Sequence, residues 1–190
     1  MTLKEEFTRV YRENVWGGSG GGAGPEVSKA FARIASDLIG KHNVKRVLDI
    51  GCGSAWPATL IDLNGAEYTG VDVVASVIGQ ARSQHPQWKF IEADALTDSL
   101  PDADLVLLKE ITQHLSDADI QTLIERLRKY PMVLHCSVAE SMNKPRKISD
   151  FNTRGVALSL PPFELPGVQP VDHWRHSHTY YFAELWRPNA

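Results

Sequence analysis

Val47-Leu48-Asp49-Ile50-Gly51-Cys52-Gly53 decides the reading of this chain. Apolar residues flank Asp49 and make a short buried strand, and the chain then turns on two glycines one residue apart. Glycine has no Cβ, so a ligand can approach its backbone closely. A lone G-x-G turn is weak evidence. Here two further strands follow, each about twenty residues on and each with an acidic end: Tyr68-Thr69-Gly70-Val71 runs into Asp72, and Trp88-Lys89-Phe90-Ile91 runs into Asp94-Ala95. Open α/β sheets bind ligands outside the carboxyl ends of their strands. Three such ends form one nucleoside-binding edge, on which the Asp72 carboxylate can accept from both hydroxyls of a ribose, or else cap the next helix. Asp49, inside a strand end, is costly to bury without a partner. It could hold the glycine turn or receive a ligand ammonium.

A dinucleotide-binding motif needs a third glycine, for close helix packing and pyrophosphate contact. Trp56 stands in that place. No G-K-[ST] follows, which excludes a phosphate-binding P-loop. The edge instead resembles the class I S-adenosylmethionine-dependent methyltransferases. Asp49-Ile50-Gly51-Cys52-Gly53 matches that family's first motif, Gly70-Val71-Asp72 its second, Glu92-Ala93-Asp94-Ala95 its adenine-contacting motif, and Asp104 to Glu110 with Gln113-His114-Leu115 its fourth strand and following turn. The resemblance implies S-adenosyl-L-methionine as cofactor. It implies contacts from Asp49, Gly51, Cys52 and Gly53, from Asp72 with Val73, from Asp94 with Ala95, and from Lys109, with Tyr11 and Trp16 closing over the methionine end. It also places the turn after the fourth strand beside the transferable methyl. There His114, which titrates near neutrality, and Glu110 are the candidate catalytic residues, each with a plain structural alternative as a helix-entry histidine or an exposed charge.

The 190 residues suit a single domain over 1–190, with residues 1–24 as an N-terminal helix and glycine-rich lid. A net charge of -3 gives no general attraction to nucleic acid or anionic membrane. Cys52 and Cys136 form no C-x-x-C pair and read as free thiols, and no apolar run is long enough to cross a bilayer. The acidic N-terminus is unlike a signal peptide, so a cytoplasmic location is expected. The expected partner is a small-molecule acceptor; the oligomeric state stays open.

Hydrophobic spacing predicts a helix over 3–13 with Phe7, Val10 and Tyr11 on one face. Six glycines in the eight residues 17–24 exclude regular structure there and read as a linker or an anion-binding lid anchored by Trp16. Pro25 then opens a helix carrying Val27, Phe31, Ile34, Ala35 and Leu38. Strands are expected at 46–50, 67–71, 88–92, 105–108 and 132–136. The helices between them are expected to start at Pro57, to run over 76–84, and to run over 119–129 behind a Ser116 cap. After residue 138, Val156 to Leu160 and Tyr180 to Trp186 read as an antiparallel pair joined through Pro161, Pro162, Pro166 and Pro170. The fold class is α/β: a Rossmann-like, seven-stranded, mostly parallel sheet with an antiparallel C-terminal strand and helices on both faces.

His173, His176 and His178 lack the spacing of helix-borne metal ligands, and no metal site is assigned; on a strand, His176 and His178 would share a face. Lys144, Arg146, Lys147 and Arg154 form a basic cluster that could meet phosphate, which keeps a nucleic-acid methyltransferase as an alternative beside a non-catalytic cofactor-binding module. A finer resemblance, to a group of small bacterial and viral methyltransferases, rests on Trp16-Gly17-Gly18, Gln113 to Ser116, Asp150, Asn152, Pro161-Pro162-Phe163 and Leu185-Trp186. The chain departs from that group at Ala157 to Leu160, where a basic residue commonly stands, and in lacking a Glu-Ser pair in the glycine loop.

Overall fold

The computed structural model describes residues 2–18, 20–140, 142–143 and 154–189. The chain forms two compact units, Met1–Ala103 and Asp104–Ala190.

In the first unit, helix α1 (Leu3–Arg12) starts at a reciprocal cap: Glu5 N–H donates to Thr2 Oγ1, and Thr2 N–H donates to the Glu5 carboxylate. Val10 is fully buried. The glycine-rich stretch is less irregular than its composition suggests, because Gly21–Ala23 make a 3-10 turn. Helix α2 (Pro25–His42) follows with Pro25 in its first turn and Asn43 in the left-handed region closing its end. All five of its predicted core residues are buried. Strands β1 (Arg46–Ile50), β2 (Glu67–Asp72) and β3 (Lys89–Glu92) pair in parallel, with helix α3 (Ala75–Gln84) between the last two.

The helix expected from Pro57 is a single 3-10 turn, Pro57–Leu60. Asn64 and Gly65, both at positive φ, turn the chain back too soon for more, and Leu60 stays exposed. Residues 93–104 hold turns and no helix.

In the second unit, β4 (Leu105–Lys109) and β5 (Val133–Val138) are parallel and joined through helix α4 (Asp117–Leu127), which Ser116 caps as expected. The end of the chain differs from the sequence reading. The hairpin is β6 (Val168–His176) with β7 (Thr179–Trp186), β7 lying antiparallel to β5 as well. Residues 156–160 are not a strand. Their backbone is satisfied by side chains instead: Val156 N–H donates to Ser137 Oγ at 3.1 Å, Ala157 N–H to Asn143 Oδ1 at 2.9 Å, and Leu158 N–H to Glu184 Oε2 at 2.8 Å. Pro170 lies within β6, beside a register irregularity. His176 and His178 flank the hairpin turn at Ser177 rather than sharing one strand face.

Among the described residues the strand order is β3-β2-β1 in the first unit and β4-β5-β7-β6 in the second, seven strands in all, with parallel pairs everywhere except on the two sides of β7, and with helices around. No helix among the described residues is long and apolar enough to cross a membrane.

Candidate active site

The first unit brings the glycine turn and the end of β2 together. Gly51 and Gly53 have φ of 69° and 54°, a region glycine enters without steric cost. Gly51 and Cys52 N–H both donate to Val71 O, at 2.7 and 3.0 Å, which ties the turn to β2. Asp72 closes the clamp: its Oδ2 accepts from Gly53 N–H and its Oδ1 from Val74 N–H, each at 3.0 Å. A carboxylate has about four acceptor sites, so these backbone bonds do not exhaust it. Burial pushes the Asp72 carboxyl above the usual aspartate range, and the N–H donors of Val74, Gly53 and Val73 only partly offset this. Val73 itself is half-buried.

Gly70 has a packing reason. A Cβ there would lie 2.8 Å from Cys52 Sγ and 2.8 Å from the Phe90 ring. The Cys52 sulfur therefore fills the space that β2 leaves empty, and burial, with Asp49 and Asp72 nearby, pushes its thiol well up. Cys52 packs rather than reacts.

Asp49 meets a partner the sequence reading missed: Tyr68 Oη donates to its Oδ2 at 2.6 Å. Asp94 organises its own turn, accepting Leu96 N–H at 2.9 Å while its N–H donates to Asp98, and Ala95 sits half-buried in that turn. Trp16 packs edge-on to both Phe7 and Tyr11 of α1, with ring centroids 6.0 and 6.4 Å away. Behind that segment the Ser28 hydroxyl is buried with no hydrogen-bond partner among the described residues.

In the second unit, Lys109 and Glu110 pair at 3.0 Å, both side chains about nine-tenths buried. Glu110 has φ of 56°, which is strained for a residue with a side chain. Its N–H donates to Cys136 O. His114 is half-buried on the 3-10 turn Thr112–His114. Thr112 begins a buried polar chain that carried no motif. Its Oγ1 lies 2.9 Å from His135 Nε2, His135 Nδ1 lies 3.4 Å from Glu184 Oε2, and the Glu184 carboxylate also accepts from Ser159 Oγ and from the Leu158 and Ser159 N–H groups. Burial pushes the Glu184 carboxyl up, but His135, Ser159 and Leu158 outweigh it, and the net shift is downward. The signal available in the sequence was a histidine and a glutamate inside otherwise apolar strands. Tyr181 is another omission: burial, then the charge of Glu110, holds its phenol protonated, pushed up to about 12.

The basic cluster changes character. Arg154 is buried and ion-paired to Asp117, so it is no phosphate ligand. Lys144, Arg146, Lys147, Asp150 and Asn152 lie outside the described residues. Among the described residues no group of histidine, cysteine and acidic side chains could hold a metal ion.

Residues 47–130 match the family model described as a methyltransferase domain. This stretch carries a class I methyltransferase domain. Over 149 residues the chain is 28% identical to the ubiquinone biosynthesis O-methyltransferase of Brucella ovis, and 31% identical over 149 residues to that of Sinorhizobium fredii; each match covers 75% of this chain and 54% of the relative. The chain thus spans about half the length of the curated relatives it matches. Among solved structures, the N-methyltransferase NodS from Bradyrhizobium japonicum WM9, in complex with S-adenosyl-L-homocysteine, superposes with a TM-score of 0.65 at 18% identity, over 87% of this chain and 89% of that one. The methyltransferase domain's cofactor is S-adenosylmethionine. The residues present fit it: two left-handed glycines, an aspartate with acceptor capacity left at the end of β2, and a second aspartate at the end of β1.

Proposed function

We propose that this chain, acting as a single methyltransferase domain over residues 1–190, transfers a methyl group from S-adenosylmethionine to an oxygen or nitrogen of a small-molecule acceptor. The observation that carries the reading is the Asp72 clamp on the Gly53 N–H, which fixes the glycine turn against the end of β2. The match to O-methyltransferases in sequence and to an N-methyltransferase in fold supports it and leaves O against N open.

The cofactor supplies a methyl on a sulfonium, already an excellent leaving group. The protein's tasks are therefore to hold, to orient and to accept a proton. Asp72 accepts from the ribose hydroxyls and Asp49 from the ammonium. Asp94 and Ala95 border the adenine, and Gly51, Cys52 and Gly53 give backbone to the methionine end. Tyr11 and Trp16 cover that end, and Lys109 neutralises charge beside Glu110. Glu110 or His114 takes the proton of a hydroxyl acceptor, a contribution of about 10²–10⁴-fold. Positioning an acceptor in line supplies on the order of 7–11 kcal/mol at best. A neutral amine needs no base. The burial of Arg154 weighs against the nucleic-acid alternative. A cytoplasmic location remains part of the proposal.

Titration calorimetry with S-adenosylhomocysteine tests the site. Asp72→Ala removes charge-assisted bonds and should weaken binding about ten- to a thousandfold. It also strips two backbone N–H groups of their acceptor. Folding should therefore suffer too, against the expectation of an untouched fold that a pure ribose ligand would give. Unchanged affinity in the variant refutes the assignment.

A further inference from the structure

We propose that Tyr68 is a positioning residue of the cofactor site, whose hydroxyl pins one oxygen of Asp49 so that the carboxylate is set in advance to accept from the amino-acid end of the cofactor. The inference rests on the methyltransferase reading above and adds to it a residue that no motif contains.

The geometry is specific. Asp49 pairs across β1 and β2 with Gly70, so Tyr68, two residues earlier on β2, shares its face of the sheet. The O–H···O separation of 2.6 Å lies in the range of strong charge-assisted bonds. The Tyr68 ring cannot wander: it is 3% exposed and packs against Trp88, with centroids 4.6 Å apart, and edge-on to Phe90 at 6.1 Å. His85 backs Trp88 in turn, at 5.1 Å. Burial and the charge of Asp49 keep the phenol protonated, so it is the donor of the pair.

Two effects of removing that hydroxyl oppose each other. More negative charge would be left on Asp49 to attract an ammonium. Against this, the carboxylate would lose its fixed rotamer and its support for the charged state, and would have to be ordered at the moment of binding. A part-buried carboxylate depends on such support, so the loss dominates.

The test compares two ligands that share adenosine and sulfur but differ in the amino acid: S-adenosylhomocysteine, which has it, and 5′-methylthioadenosine, which lacks it. Calorimetry is run on the wild type, Tyr68→Phe, Asp49→Asn and the double variant, with thermal midpoints recorded for each. Tyr68→Phe is expected to weaken S-adenosylhomocysteine on the order of tenfold and to leave methylthioadenosine within about twofold. Adding it to Asp49→Asn should cost little further, since its effect passes through that carboxylate. Equal weakening of both ligands would make Tyr68 a structural brace and overturn the proposal. So would an unchanged affinity for both, or a full additional loss in the double variant. A wild type that binds both ligands while Tyr68→Phe is silent defeats this inference alone. A wild type that binds neither defeats the methyltransferase reading and this inference with it.

Discussion

The two compact units bury polar groups by different means. In the first, a carboxylate meets backbone: Asp72 accepts two N–H groups, from Gly53 and Val74. In the second, side chain meets side chain, through Thr112, His135, Glu184 and Ser159. The backbone solution needs only a glycine turn and one acid at the end of the neighbouring strand. The side-chain solution needs four residues from four separate stretches, and it has no slack. His135 and Glu184 are 0% and 2% exposed, so water cannot replace a missing partner.

Glu184→Ala should have the largest effect on stability. It leaves the Ser159 hydroxyl and the N–H groups of Leu158 and Ser159 without their acceptor, and removes the carboxylate 3.4 Å from His135 Nδ1. Each buried donor left without an acceptor costs about 1–3 kcal/mol, and here several lose it together, readable as a lowered urea midpoint. If Asp72→Ala destabilises as much, the contrast between the units carries no energetic difference.

Gly70→Ala comes next, at about 1–3 kcal/mol, the usual cost of overpacking. Its added methyl meets Cys52 Sγ and the Phe90 ring. Cys52→Ala in the same chain should recover part of the loss, because it removes one of the two obstacles. Absence of any recovery would place the whole clash on Phe90.

The smallest effect is one of pH, and the two units should answer acid with opposite signs. The Glu184 carboxyl is lowered on folding, so its contribution is present above the ordinary glutamate value and is lost as pH falls through the lowered one. The stability gap between wild type and Glu184→Gln should therefore shrink in acid. The Asp72 carboxyl is raised on folding, so its contribution is present below the ordinary aspartate value and is lost as pH rises through the raised one. A gap for Glu184→Gln that is constant across the acid range would contradict a Glu184 carboxyl lowered on folding.

The same contrast explains what could be read beforehand. Gly51, Gly53, Asp72 and the three strands around them are legible because each is marked by residue type within its own stretch, a glycine turn or an acid at the end of an apolar run. Tyr68 stayed hidden because its meaning depends on the register of β1 against β2, which no single strand reveals. Val156-Ala157-Leu158 reads as a strand because a buried apolar run has no period to tell strand from irregular chain. Its N–H groups find Ser137, Asn143 and Glu184, which only the fold brings near. The real partner strand, Val168–His176, escaped because it is exposed along most of its length and contains a proline, so it shows little alternation.

Glu110 carries one more consequence. Its φ of 56° is a conformation that glycine adopts freely and asparagine tolerates. Selection for durability alone would drift this position toward those residues, which would relax the chain where it leaves β4. A glutamate kept there instead holds the fold below its attainable stability, and what it retains in exchange is a negative charge, nine-tenths buried and countered by Lys109. Thermostabilised descendants of this chain would therefore reveal what the carboxylate is for by what they lose when position 110 becomes glycine.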